Sequence, residues 1–133
     1  MEKCKLLAFL LCESATLNRS DGKVTLHGVF DRLIIPKVRT LDKEKDFFVY
    51  YKLVVVEQPC TIVLKVTDPA GGEVKGNWRD TIDQTGPVHS IWALISELFV
   101  TPGTYVLELR QETDGSDGLS LAGTAVVVDR EGE

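Results

Sequence analysis

The chain has few cysteines and histidines, and it lacks the spacings that would make sites of them. Its 133 residues include three cysteines and two histidines. No Cys-x-x-Cys, His-Glu-x-x-His, Gly-x-Ser-x-Gly or phosphate-binding glycine loop occurs, so the common metal, hydrolase and nucleotide motifs are missing. The odd cysteine count predicts buried, reduced thiols at Cys4, Cys12 and Cys60 rather than a disulfide framework.

Clustered positive charge and long apolar runs are also absent. The net charge is −5 and the 15 basic residues are scattered, which argues against nucleic acid as a partner. The longest N-terminal apolar run, residues 6–12, is too short to cross a bilayer, so we expect no membrane partner. With 44% hydrophobic and 26% charged residues, the composition predicts one ordered domain at residues 1–128, with a flexible tail at 129–133.

The stretch KCKLLAFLLCE, residues 3–13, allows two interpretations. Its lysines and apolar run resemble a secretory signal, but the run stops at Glu13 and no small-x-small cleavage site follows. A short apolar run followed by a turn signal, here residues 18–22, is typical of a strand covered on both faces. We therefore predict the first strand of the core and a cytoplasmic protein.

The rest of the chain alternates short apolar runs with turn signals. Asp21 and Gly22 separate the first run from residues 23–35, which predicts a hairpin whose second strand continues to Pro36. Arg79 to Pro87 reads as a loop. Residues 88–100 fit a helical stripe as well as a strand, and periodicity alone does not decide between them. The remaining predicted strands lie at 47–56, 61–67, 74–78, 105–110 and 119–128.

Seven or eight short strands without a βαβ rhythm predict an all-β fold, an antiparallel immunoglobulin-like β-sandwich. The turn containing Pro102 and Gly103 precedes Tyr105 at the start of the second-to-last strand. In such sandwiches a tyrosine at this corner bonds back to the chain through its hydroxyl. Tyr105 has either that role or the simpler one of filling the core.

Three segments of the chain resemble a known family. They are LLAFLLCE, DGKVTLHGVFDRL and PGTYVLEL. Together they resemble an uncharacterised bacterial domain-of-unknown-function family of small cytoplasmic β-sandwich proteins. The resemblance implies a strand at 88–100 and carries no activity. The chain departs from the family pattern in its longer loop at 114–118 and in its two tryptophans.

Residues that could do chemistry are sparse. Cys60 could act as a nucleophile if His27 and Asp31 met it in space, but a small buried residue at a strand start is the commoner interpretation. Asp31 and Arg32 are either a recognition pair on a sheet face or, as we favour, a local ion pair on the solvent side. No cofactor is implied.

Acidic residues in predicted turns suggest a second alternative. Some β-sandwiches bind calcium through aspartates that converge from several loops. Ordinary turn chemistry explains the same residues equally well, because aspartate caps tight turns. A calcium-binding or small-ligand receptor, or an enzyme with an unrecognised site, is therefore the alternative interpretation. The aspartates in question are Asp68, Asp80, Asp83, Asp114 and Asp117.

The strongest candidate for a functional surface lies in FFVYYKLVVV, residues 47–56. Alternate residues from Phe47 can fill the core, which leaves a second, largely apolar face. A monomer rarely exposes such a stripe to water. We therefore predict a non-catalytic module, a homo-oligomer or the binder of a protein partner, that uses this face. Its residues are Phe48, Tyr50, Lys52, Val54 and Val56.

Overall fold

Nine strands run through the part of the chain that the computed structural model describes, and this part contains no helix. The structure describes residues 2–35, 47–74, 78–94, 101–113 and 116–130. The predicted all-β class is confirmed. The strands are β1 (Cys4–Leu17), β2 (Val24–Val29), β3 (Arg32–Ile35), β4 (Phe47–Val55), β5 (Cys60–Thr67), β6 (Trp78–Ile82), β7 (Gly86–Leu94), β8 (Gly103–Thr113) and β9 (Ser116–Arg130).

The strands form two sheets. One sheet has four strands in the order β2-β1-β4-β7, and all its neighbours are antiparallel. The other has five strands in the order β3-β9-β8-β5-β6. In this five-stranded sheet β3 pairs parallel to β9, whereas the other pairs are antiparallel. The prediction of a wholly antiparallel arrangement is therefore wrong for one pair.

The strand count also differs from the predicted seven or eight, because residues 23–35 form two strands in different sheets. The Phe30 backbone N–H donates to the Leu11 carbonyl in the four-stranded sheet at 3.0 Å. One residue later, the Asp31 carbonyl accepts from the Val127 N–H of the five-stranded sheet at 2.9 Å. The chain thus changes sheets between these two residues, where the charged pair Asp31 and Arg32 interrupts its apolar pattern.

The predicted loop at 79–87 contains a strand. β6 spans Trp78–Ile82 and pairs with β5, and β7 begins only four residues later at Gly86. Trp78, Asp80 and Ile82 alternate with exposed residues, but the carboxylate in the middle hides the apolar pattern of an inward face. The predicted strand at 88–100 is confirmed as far as Leu94, and residues 95–100 lie outside the described part.

The core lies between the sheets and consists mainly of alternate residues of β4, β5, β8 and β9, together with Cys4 and Leu11 of β1 and Ile82 of β6. The period of two arises because successive side chains of a strand point to opposite faces. On one side, where edge strands β6 and β7 meet, Trp78 stacks on Trp92 with ring centroids 3.7 Å apart. The fully buried large side chains include Tyr51, Leu53, Ile62, Leu64, Tyr105, Leu107 and Leu109.

Two predicted turn glycines occupy positions that need glycine. Gly22 adopts φ +72° in the β1–β2 turn, where its N–H donates to the Asn18 carbonyl and Asp21 accepts from the Lys23 N–H. Gly103 opens β8 at φ +135°, and a Cβ there would lie 2.7 Å from the Pro69 side chain. Both turns therefore favour the hairpins and strand ends predicted around them.

The C-terminal end of β9 reaches further than predicted. Asp129 pairs with Ile34 in the β3–β9 ladder, and Arg32 donates to its carboxylate at 2.8 Å. Residues 129–130 thus belong to a strand rather than to a flexible tail.

Candidate interaction surface

The predicted surface residues lie on the outward side of β4, the strand second from one edge of the four-stranded sheet. Phe48, Tyr50 and Val54 are half-buried and Lys52 is exposed, whereas the residues between them are buried in the core. Val56 lies one residue beyond the strand and is 63% exposed, and its N–H donates to the Lys3 carbonyl.

Neighbouring strands extend this face into an apolar band. In a sheet, directly paired residues share a face. Tyr50 is paired with Leu10 on β1 and with Ile91 on β7, which makes a row of three large apolar side chains. The next row toward one end combines Cys12, Phe48 and Ala93. We call the outward side of β2, β1, β4 and β7 the four-strand face.

Strand β1 shows that this face is open in part, since Leu7 and Leu10 are exposed although Cys12 on the same side is fully buried. The apolar run predicted a strand buried on both sides, but Leu7 is 52% exposed and Leu10 is 40% exposed, whereas Leu11 is buried. The prediction of a doubly covered strand is therefore wrong for this side of β1. An unbroken apolar run does not distinguish a strand buried on both faces from one with an apolar outer face.

The charges of the four-strand face are of one sign. By register, Lys5 pairs with Val54 and points outward, as does Lys52 with its neighbours Ala8 and His89. No aspartate or glutamate points outward from the described residues of these four strands. The cations lie toward the end of the face that contains Val54, and the aromatic and aliphatic residues lie toward the other end.

Sequence reasoning found the β4 residues and missed those of β1 and β7. Leu10 and Ile91 complete the central row, yet strand order and register, which place them beside Tyr50, depend on contacts distant in sequence. The signal available in the sequence was the low polarity of KCKLLAFLLCE and of residues 88–95, which leaves too few polar residues for a solvent face.

The structure does not bring the candidate catalytic residues together. Cys60 is fully buried in the core at the start of β5. His27 is exposed on the outward side of β2, so the four-stranded sheet itself separates it from the core. Asp31 is exposed at the crossing between the sheets, and its neighbour Arg32 forms an ion pair with Asp129 on β9, 97 positions further along the chain, so this ion pair is not local.

The aspartates considered for calcium have other roles or lie apart. Asp68 accepts from the N–H groups of Ala70 and Gly72, both at 2.9 Å, and so closes its own turn. Asp80 accepts the Tyr51 hydroxyl at 2.9 Å. Asp83 is exposed between β6 and β7. Within the described ranges, no three potential metal ligands form a group. Asp114 and the side chain of Asp117 lie outside them.

The hydroxyl of Tyr105 forms a hydrogen bond to the backbone at the turn that precedes β8. Tyr105 is buried at the start of β8, and its hydroxyl oxygen accepts from the Thr101 N–H at 3.1 Å. The bond runs back to the chain four residues upstream, across the turn that holds Pro102 and Gly103. The side chain thus fills the core and also ties the turn to it, so the two alternatives for Tyr105 are compatible.

Comparisons with known proteins define the fold and no more. Neither the family models nor the curated proteins give a match to the chain. Among solved structures, the chain is similar to part of a β-glucosidase from Listeria innocua in complex with glucose, at a TM-score of 0.50 and 13% identity. The match covers 92% of this chain and 16% of that enzyme. At this identity the likeness concerns the two-sheet architecture alone.

The described residues include no helix with the length and hydropathy needed to cross a lipid bilayer.

Proposed function

We propose that the protein is a non-catalytic β-sandwich module, a variant of the immunoglobulin-like type, that self-associates through the four-strand face. The observation that carries this proposal is the apolar row formed by Leu10, Tyr50 and Ile91 at the centre of a sheet face. The proposed location is the cytoplasm, in keeping with the resemblance to a bacterial family of small β-sandwiches.

The exposure of the row supports association rather than simple solvation. Leu10 of this row is 40% exposed, and Leu7 on β1 and Val29 on β2 are 52% and 55% exposed. Burying such side chains stabilises a complex by about 25 cal/mol for each Å² removed from water. Contiguous apolar patches of this kind are typical of protein interfaces.

The positions of the charges favour one arrangement of two copies. A two-fold axis along the strands would place Lys52 of one copy against Lys52 of the other. An axis across the strands at Tyr50 instead places Lys52 over the end that contains Phe48, since these residues lie two positions either side of Tyr50. A lysine ammonium over a phenyl ring is attractive. We therefore propose the second arrangement.

The proposed immunoglobulin-like relationship rests on the tyrosine corner. Tyr105 opens the second-to-last strand and accepts from an upstream backbone N–H, as the corner tyrosine of such domains does. The parallel β3–β9 pair is a departure from a wholly antiparallel sandwich.

A pair of matched variants tests the proposed interface. Leu10 and Val106 are exposed to similar extents, 40% and 45%, but they point outward from different sheets. We expect Leu10→Lys to shift the protein to monomer and Val106→Lys to leave assembly unchanged. Sedimentation velocity or light scattering from about 1 to about 100 µM covers the range of moderate interfaces.

Two outcomes would overturn the proposal. One is a wild-type protein that stays monomeric throughout this range, in which case the face would serve a different protein. The other is equal dissociation by both variants, which would place the interface elsewhere. Circular dichroism of both variants checks that each one is folded.

A further inference from the structure

Two cysteine thiols from different sheets meet in the core. Cys4 is the first residue of β1 and Cys60 is the first residue of β5, and both are 0% exposed. The residues that precede them are in contact, since the Lys3 ammonium donates to the Pro59 carbonyl at 3.3 Å, and each thiol contributes to the shifted pKa of the other. They lie far apart in sequence, so only the stacking of the two sheets brings them together.

The contacts of the Gln111 side chain are separate evidence for where the start of β1 lies in the core. Gln111 is the one buried polar side chain among the described residues, and its Oε1 accepts from the Cys4 thiol at 3.7 Å and from the Lys3 N–H at 2.7 Å. Gln111 pairs with Ile62 on β5, so Cys60 lies one pleat further along the same inward side. The amide thus holds the start of β1 against β8, the strand that pairs with β5.

The two thiols are not equivalent. Burial, and to a smaller extent the neighbouring Cys60, raises the pKa of Cys4 from 9.0 to about 12. Burial also raises the pKa of Cys60, but the hydrogen bond from Cys4 and the nearby Lys3 lower it in part. The Lys3 ammonium lies close by, since it donates to the Pro59 carbonyl at 3.3 Å. Cys60 is therefore the better thiolate of the pair.

We propose that Cys4 and Cys60 form a redox-sensitive pair that closes to a disulfide across the two sheets. This inference is separate from the proposed self-association, because the pair lies in the core and not on the four-strand face. Closing the bond links β1 to β5 covalently, whereas the reduced pair leaves the sheets joined by packing alone. The chain would thus have a reduced and an oxidised form that differ in stability.

Thiol–disulfide exchange with a small disulfide such as glutathione disulfide supplies the oxidant. The Cys60 thiolate attacks one sulfur of glutathione disulfide and releases one glutathione. The Cys4 sulfur then attacks the Cys60 sulfur of the mixed disulfide and releases the second. In sum, two electrons and two protons pass from the protein thiols to glutathione disulfide, which becomes two glutathione molecules.

The location of the pair allows this reaction by local opening. Both cysteines lie at strand starts, and residues 57–59 beside Cys60 are exposed. Strand ends open more easily than strand centres. The full burial of the thiols makes the reaction slow rather than impossible, so the test is made at equilibrium.

The experiment equilibrates the folded protein in glutathione buffers of graded redox potential, with urea below the unfolding transition to speed local opening. Free thiols are then alkylated under denaturing conditions and located by peptide mass spectrometry. Cys12 is the internal control, because its thiol is also fully buried but lies on the opposite side of β1 from Cys4, where it donates to the Phe48 carbonyl. We expect Cys4 and Cys60 to be lost together as one disulfide, while Cys12 stays alkylated.

Closing so long a loop should raise the melting midpoint by about 5–15 °C, reversibly on reduction. Cys12→Ser should keep this shift, and Cys4→Ser and Cys60→Ser should both abolish it. Refolding from denaturant in the same buffers should reach the same end point. Three free thiols at equilibrium, or glutathione adducts in place of the internal disulfide, would overturn the proposal.

Discussion

The outward sides of the two sheets expose different kinds of side chain to water. The five-stranded sheet carries cations and carboxylates in pairs, Arg79 with Glu112 at 2.6 Å and Arg110 with Glu108. An exposed apolar residue such as Val106 is paired there with Thr67 and Ala125. The four-strand face carries the Leu10, Tyr50 and Ile91 row instead, with lysines at one end and no outward carboxylate in the described strands.

This difference indicates which of the two outward sides is expected to contact a partner. Charges of both signs interspersed on a sheet keep it solvated and suppress association. An apolar face with charges of one sign lacks that protection. We therefore expect the five-stranded sheet to face solvent and the four-strand face to form the proposed interface, and each of the following experiments tests that expectation.

The largest expected effect is the difference in stability between substitutions on the inward and outward sides of β4. Leu53 is fully buried and points inward, whereas Tyr50 on the same strand points outward. Leu53→Ala should lower the free energy of unfolding by about 2–5 kcal/mol, because it leaves a cavity in the core. Tyr50→Ala should change it by less than about 1 kcal/mol yet weaken association. Urea unfolding and sedimentation of both variants measure the contrast, and equal destabilisation would show that the outward side belongs to the core.

The next effect concerns alkaline pH and the inward side of the four-stranded sheet. Burial raises the pKa of Cys4 from 9.0 to about 12 and also raises the pKa of the Tyr51 hydroxyl. A raised pKa in the fold means that the neutral form is favoured there. The contribution of the neutral Cys4 thiol to the free energy of unfolding is complete below pH 9 and is lost as the pH rises toward about 12. Urea midpoints should fall across this window, and less steeply in Cys4→Ala. A flat profile would contradict the assigned burial.

A smaller effect tests the ion pairs of the five-stranded sheet. Arg79 and Glu112 have side chains that are 61% and 29% exposed. Such a surface pair contributes about 0–1 kcal/mol, because water and salt screen it. Glu112→Gln should therefore lower stability by no more than that and should leave the oligomeric state unchanged. A variant that altered assembly would assign an interface to this sheet.

The smallest expected effect is that of salt on self-association. Raising the ionic strength from about 0.1 M to about 1 M shortens the screening length from about 10 Å to about 3 Å. Contacts between apolar rows do not depend on that length, and screening relieves repulsion between the lysines of two copies. The dissociation constant should stay within about threefold or decrease. A tenfold weakening would indicate an acidic partner surface instead.

Much of the fold could be predicted from the sequence because its signals are local. Turn residues such as Asp21 and Gly22, and the alternation of residues 47–55, depend only on backbone preferences and on the period of two. The inward and outward sides of β4 follow from that alternation. The strand in residues 78–82 escaped prediction because Asp80 turns inward to meet Tyr51, a contact that no local pattern reveals.

The all-β class, most of the strands and one stripe of the candidate surface could be predicted from the sequence alone. Each of these features follows from residues that are close together along the chain. The tertiary structure was needed to show which strands lie beside that stripe. It was also needed to show that the chain crosses between the sheets at Phe30 and Asp31 and that Cys4 and Cys60 lie near each other. The physical reason is that pairing and stacking of strands join residues far apart in sequence. Their register is fixed by the packing of the whole core rather than by any local preference.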